Sequence, residues 1–192
     1  MTHFYKGVGV GTFLHANDLR INGITPARPG AAFSLSAAMQ HVSRGVVMTP
    51  CISLTRSYAV AEDYARNAGL APPTPAAPAY VYVVDVPDPL PAGVAIYDPV
   101  EYVASRNRNP VTQPSYHHNG GSKFLLAVVD PSAHGALLTT PPVRPPGMHG
   151  GAPAGPILTE QLETMVNALR DAEALIVGSV PRAWIIERFD IS

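Results

Sequence analysis

Proline sets the first constraint on this chain. There are 21 prolines among 192 residues, and 16 of them fall in two stretches, 72–91 and 110–156. Proline lacks an amide donor and fixes φ, so no helix interior can run through such stretches and a helical bundle is excluded. Helix interiors must come from outside them, while a strand can still fit between prolines. The length fits one domain, 1–192, with residues 106–156 reading as a loop insertion.

Bulk composition narrows the function. The chain is 46% hydrophobic and 14% charged, a balance that buries a core rather than leaving the chain disordered. A net charge of −1 supplies no basic field of the kind that drives non-specific nucleic-acid binding. Cys51 is the single cysteine, which rules out an internal disulfide and a cysteine-rich metal site. No apolar run reaches about 18 residues, so no membrane insertion is expected. No charged-then-apolar leader opens the sequence, so no signal peptide is expected.

Periodicity then places the elements. Phe4 to Val10 reads as a strand punctuated by glycines, which mark close approach of another backbone or a ligand. His15 to Arg20 reads as a short helix, and Asn22–Gly23 as a turn. Leu35, Ala38, Met39 and Val42 recur at helical spacing behind Ser34, a candidate cap. Cys51 to Leu54 is a strand, and Ser57 caps a helix with Tyr58, Ala61, Tyr64 and Ala65 on one face. Ala79–Val86 is the strongest strand. Val94–Ile96 and Phe124–Val129 read as further strands, and Pro99–Ser105 as a helix. Thr159 caps an amphipathic helix carrying Leu162, Met165, Val166 and Leu169. Strands at Ala172–Val177 and Trp184–Phe189 finish the chain. Helices come early and strands dominate later, which favours α+β over alternating βαβ units.

Three short segments place polar groups among apolar ones. Lys6, beside Gly7, can hold an anion as a point charge or sit as an edge lysine in water. Ser53 and Thr55 share one side of a strand and can hold a polar ligand or simply lead into the next helix. Asp171 and Glu173 also share a side if the strand starts at Asp171, and such a pair can divide acid and base roles or face water. His117 and His118 are adjacent, and adjacent side chains do not converge on a metal. His41 differs, closing a helix 12 residues before Ser53.

The order of these segments resembles the ADP-ribosyltransferase toxin family, in its cholera toxin, pertussis toxin and pierisin branch. The matching pieces are FYKG (4–7), GITP (23–26), QHV (40–42), CISLTRSYAVAEDYA (51–65), YVYVVDVP (80–87) and DAEALIVGSVP (171–181). They span nearly the whole chain in the family's order. The resemblance implies an α+β split sandwich of two mostly antiparallel sheets, with flanking helices and an NAD cleft between the sheets. It implies Glu173 as the catalytic glutamate, Ser53 as its orienting partner and Thr55 as support on the same strand. It places Asp171 at the acceptor, His41 near the ribose or nucleophile, and Lys6 with Gly7 on NAD. No metal is implied, and NAD enters as substrate.

Two departures from the pattern bear on chemistry. Lys6 stands where the family has arginine, and a single charged point does not reproduce a planar fork. Either NAD is held differently, or Arg28 or Arg56 assists, or turnover is weak. Asp171 stands where members have glutamate or glutamine. An acid there favours an arginine-type protein acceptor over guanine in nucleic acid. The expected activity is mono-ADP-ribosyl transfer from NAD to a macromolecule. The alternatives are NAD glycohydrolysis, guanine modification and a non-catalytic binding module. By the same resemblance the chain is a toxin or effector domain for virulence or interbacterial competition. It would be delivered by a secretion system into a target-cell cytosol and be countered by a cognate immunity protein.

Overall fold

The computed structural model describes residues 2–106, 116–118, 121–123 and 155–192. Its chain order is β1 (Thr2–Val8), α1 (Phe13–Ala16), α2 (Leu19–Asn22), α3 (Leu35–Arg44), β2 (Cys51–Thr55), α4 (Tyr58–Asn67), β3 (Ala79–Val86), β4 (Ala95–Tyr97) and α5 (Pro99–Arg106). There follow β5 (Tyr116–His118), β6 (Gly121–Lys123), α6 (Gly155–Arg170), β7 (Glu173–Val177) and β8 (Ile185–Ile191). The class is α+β. Six strands form one antiparallel sheet in the order β4-β7-β2-β1-β3-β8, and β5 and β6 form a separate hairpin.

That sheet is nearly two sheets. β1 and β3 pair along the whole of β1, from Thr2↔Val86 to Val8↔Tyr80. β2 and β7 pair from Cys51↔Val177 to Thr55↔Glu173. β1 and β2, at the centre, share a single pair, Tyr5↔Thr55. The described strands therefore make one sheet with a central seam, where two separate packed sheets are expected from the resemblance. The retained pair at Tyr5↔Thr55 is what keeps the halves in one sheet.

Strand alternation sorts the core. Phe4, Val8, Ile52, Leu54, Tyr82, Val84, Val86, Ala174 and Ile176 are all buried in one cluster on one face. A register shift between Val83 and Val84 sets Ile185 opposite Val84, which brings it onto the same face. The opposite face carries two smaller clusters. Ala61 and Ala65 of α4 pack on Ala79, Val81 and Ile191 in the β1 half. Ala38 of α3 packs with Cys51, Tyr102 and Leu175 in the β2 half. Between these two clusters the face is polar, and there lie Ser53, Thr55 and Glu173.

Several ends differ from the sequence expectation, each for a local reason. The segment read as one helix from His15 is two, because Asp18 caps α2 by accepting from the Arg20 amide. Ser34 and Ser57 cap α3 and α4 as expected, accepting from the Ala37 and Val60 amides. Helix α6 starts at Gly155 rather than behind Thr159. Pro156 fits there because first-turn amides have no intrahelical partner to lose. β7 starts at Glu173, since Ala172 takes φ 46°, a left-handed value that breaks the extended chain. Tyr64 is 44% exposed, so the buried α4 stripe is carried by its alanines. The expected strand Phe124–Val129 and most of the 106–156 insertion lie outside the described residues.

Gly7 has a steric role. A Cβ there would sit 2.1 Å from the Ala61 carbonyl oxygen and 2.9 Å from Tyr64 Cβ. Only glycine lets α4 lie this close to β1. The residue expected beside NAD is thus the contact point of strand and helix.

Candidate active site

The antiparallel register builds the site. Thr55 lies directly opposite Glu173, so both side chains and that of Ser53 project from one side of the β2–β7 pair. Ser53 Oγ–H donates to Glu173 Oε1 in a short hydrogen bond. His41, from the last turn of α3, lies 2.8 Å from Ser53 Oγ through Nε2 and 2.6 Å from Thr49 Oγ1 through Nδ1. Serine has one hydroxyl hydrogen, and it points to Glu173. Nε2 must therefore carry the proton and donate to Ser53, while Nδ1 accepts from Thr49. The Cys51 amide donates to Thr49 Oγ1 at 3.3 Å. One directed chain results: Cys51 amide, Thr49, His41, Ser53, Glu173.

Charges agree with that direction. Burial, assisted by the nearby Lys6 ammonium, pushes the His41 pKa from 6.5 down to about 4, so the ring is neutral near pH 7. Glu173 is only 8% exposed. Burial raises its pKa, while the Ser53 hydroxyl and Lys6 hold it down. Lys6 Nζ donates to the Ser53 carbonyl oxygen at 2.9 Å, across the seam where β1 and β2 part. Burial lowers its pKa, and Glu173 opposes that shift. A half-buried ammonium and a buried carboxylate thus flank Ser53 from opposite sheet halves.

Thr55 and Asp171 serve the turn that enters β7. Thr55 Oγ1 donates to the Asp171 carbonyl at 2.5 Å and accepts the Ser57 amide at 3.0 Å. The Arg56 amide donates to the Ala172 carbonyl at 2.9 Å. These bonds hold Ala172 in its left-handed conformation, which costs about 1–2 kcal/mol for an L-residue. Asp171 does not reach Ser53. Both its carboxylate oxygens take hydrogen bonds from Arg170, at 2.6 and 2.7 Å, and Tyr64 donates to one of them at 2.9 Å. Burial first, then Asp171, pushes the Tyr64 pKa up to about 12.

The structure thus brings Lys6, His41, Ser53, Thr55 and Glu173 into one group and leaves Asp171 at its edge. Gly7 faces α4 instead. Of the two arginines considered as helpers for Lys6, Arg56 is near: its Nη1 donates to the Glu173 carbonyl at 3.2 Å and lies 3.4 Å from Asp98. Arg28 offers its amide to the Thr49 carbonyl at 3.2 Å, and the residue is exposed. Thr49 and Arg170 carry no mark in the sequence, and Tyr64 reads there only as part of the α4 face. Thr49 sits in an irregular loop with no spacing rule to mark it. Arg170 is the last residue of a periodic helix, and only the pairing shows which carboxylate it meets.

No helix among the described residues is long and apolar enough to cross a membrane. Among the same residues no group of three or more His, Cys, Asp or Glu side chains can hold a metal ion. Comparisons with protein-family models, curated proteins and solved structures find no match to this chain.

Proposed function

We propose that this protein cleaves the nicotinamide–ribose bond of NAD and passes ADP-ribose to an acceptor. The carrying observation is the buried Glu173 carboxylate, fixed by Ser53 and faced by Lys6 across the sheet seam. In this reading the seam between the β1 and β2 halves is the NAD cleft, the split sandwich that the segment order resembles.

The chemistry follows from charge. When the C1′–N bond breaks, the bonding pair leaves on nicotinamide and positive charge develops on the ribose. A preorganised carboxylate in a site that excludes water stabilises that charge without reorganising. Ser53 keeps Glu173 aimed, and neutral His41 keeps Ser53 aimed, because a proton on Nδ1 would displace the Thr49 donor. Lys6 offers a point charge to a phosphate, and Arg56 stands nearby with one nitrogen, Nη1, on Asp98 and the Glu173 carbonyl. The acceptor is a macromolecule, with a protein guanidinium favoured. The biological setting is a delivered toxin acting in a target-cell cytosol, opposed by an immunity protein.

NAD glycohydrolysis, with water as acceptor, is the second reading. Arg170 favours it, since it already fills the Asp171 carboxylate where a foreign guanidinium would bind.

Nicotinamide release from NAD tests the proposal. Glu173→Gln keeps the shape and removes the charge, and it should slow release by about 10²–10³-fold. Release within threefold of wild type in that variant, with an unchanged thermal melt, would sink the assignment.

A further inference from the structure

The sheet ends on a long strand. β8 stands last in the order β4-β7-β2-β1-β3-β8, and among the described residues no strand pairs with its outer side. An edge strand turns a row of backbone donors and acceptors away from the sheet, and chains commonly blunt such an edge with proline, lysine or a bulge. β8 contains neither proline nor lysine. It has one bulge: Val83 pairs with Glu187 and Val84 with Ile185, so Ile186 is the extra residue. The regular edge is therefore 187–191, and Phe189 is its centre. Phe189 meets the Tyr58 ring edge-on, with centroids 5.6 Å apart, and is 37% exposed.

We propose that this edge pairs with β8 of a second copy of the chain, antiparallel, about a twofold axis through Phe189. The axis is perpendicular to the sheet, so opposed residues share a face and the contact is isologous. Charge selects the register. Arg188 of each copy stands opposite Asp190 of the other, on the face that carries Tyr80 and Tyr82. Phe189 stands opposite Phe189 on the α4 face. An axis at Arg188 or at Asp190 would instead set like charges directly opposite, which destabilises a strand pair. The Asp190 side chain is 54% exposed, with Arg188 Nε of its own copy 3.1 Å away, so it is placed to receive a second arginine. Five residues from each copy bury little surface, and the dimer is weak and concentration-dependent. The inference rests on the sheet alone and holds whatever the site catalyses. Both copies would turn the Glu173 side of the sheet the same way, with three strands of each between the two seams.

Analytical ultracentrifugation over a concentration series tests the pairing, with Asp190→Lys and Asp190→Glu run beside wild type. Wild type should pass reversibly from monomer to dimer. Asp190→Lys sets a cation opposite Arg188 of the other copy and should weaken the dimer by about tenfold, while Asp190→Glu should stay within about threefold of wild type. Single cysteines read the register under mild oxidation. Phe189→Cys faces itself across the axis and should give a disulfide-linked dimer. Glu187→Cys and Asp190→Cys face positions 191 and 188 and should not, since a disulfide needs close, aligned Cβ atoms. Wild type, whose Cys51 is buried, is the blank. A wild type that stays monomeric throughout overturns the proposal and leaves the edge to an extended strand of another protein. A dimer untouched by Asp190→Lys, or equal crosslinking at all three positions, overturns it too. If Phe189→Cys fails to fold, the two variants at the exposed Asp190 decide alone.

Discussion

The two halves of the sheet are built for different ends. The β1–β3–β8 half has long ladders, and on its helix-facing side Ala79, Val81 and Ile191 are sealed by α4. The β4–β7–β2 half has short ladders, and its helix-facing side carries Ser53, Thr55 and Glu173. One half satisfies its helix-facing side chains by contact, and the other adds directed hydrogen bonds beside its Cys51–Leu175 cluster. A buried polar chain is favourable only while each member has its partner, so this second half is more sensitive to protonation and to single-atom changes. The first half is more sensitive to volume.

Three substitutions sharpen that contrast. Gly7→Ala puts a methyl group against the Ala61 carbonyl, which can move only with the α4 backbone. It should destabilise the protein by about 3 kcal/mol in denaturant melts, as overpacking at a rigid contact does. A loss under 1 kcal/mol would show that α4 is not seated as described. The second addresses protonation. His41 has a folded pKa of about 4 against an ordinary 6.5, so the unfolded chain takes the proton first. The stability that His41 contributes is complete above pH 6.5 and drains away as pH falls toward 4. Wild type should lose about 2 kcal/mol relative to His41→Asn across that window, allowing for partial solvent screening. Parallel pH curves would refute the assignment. The smallest effect is a gain. Ala172→Gly relieves a left-handed alanine and should raise stability by roughly 0.5–1 kcal/mol, net of the greater freedom of the unfolded glycine chain. An unchanged or lowered melt would mean that the Thr55 and Arg56 bonds already compensate the strain.

What could be read in advance followed the reach of the physical signal. Ala79–Val86 was legible to the residue because a β-branched run bounded by prolines has one reading. The Ser34 and Ser57 caps were legible because capping is local. The Ser53 and Thr55 side was legible from period two, and the meeting of Ser53 with Glu173, 120 residues away, only from the order of segments. The seam was not legible, since whether β1 and β2 share one pair or several depends on sheet twist and on how each half packs its helices. Asp171 and Glu173 share a side only if the strand starts at Asp171, and Ala172, which is not extended, starts it at Glu173 instead. Gly7 was marked as a place of close approach, and the approaching group is α4.

The seam also governs how the chain can be assembled. Followed in order, the strands cross it repeatedly: β1 on one side, β2 on the other, β3 back, β4 and β7 across, β8 back again. No single cut in the polypeptide separates the halves, although a single ladder pair joins their strands. Each half waits for a late strand, β7 for one and β8 for the other, and such long-range closure is slow. During synthesis, a ribosome that has not yet released residue 191 holds a sheet with an unfinished half. Glu173, the acid to which we assign the chemistry, arrives with the strand that completes the other half.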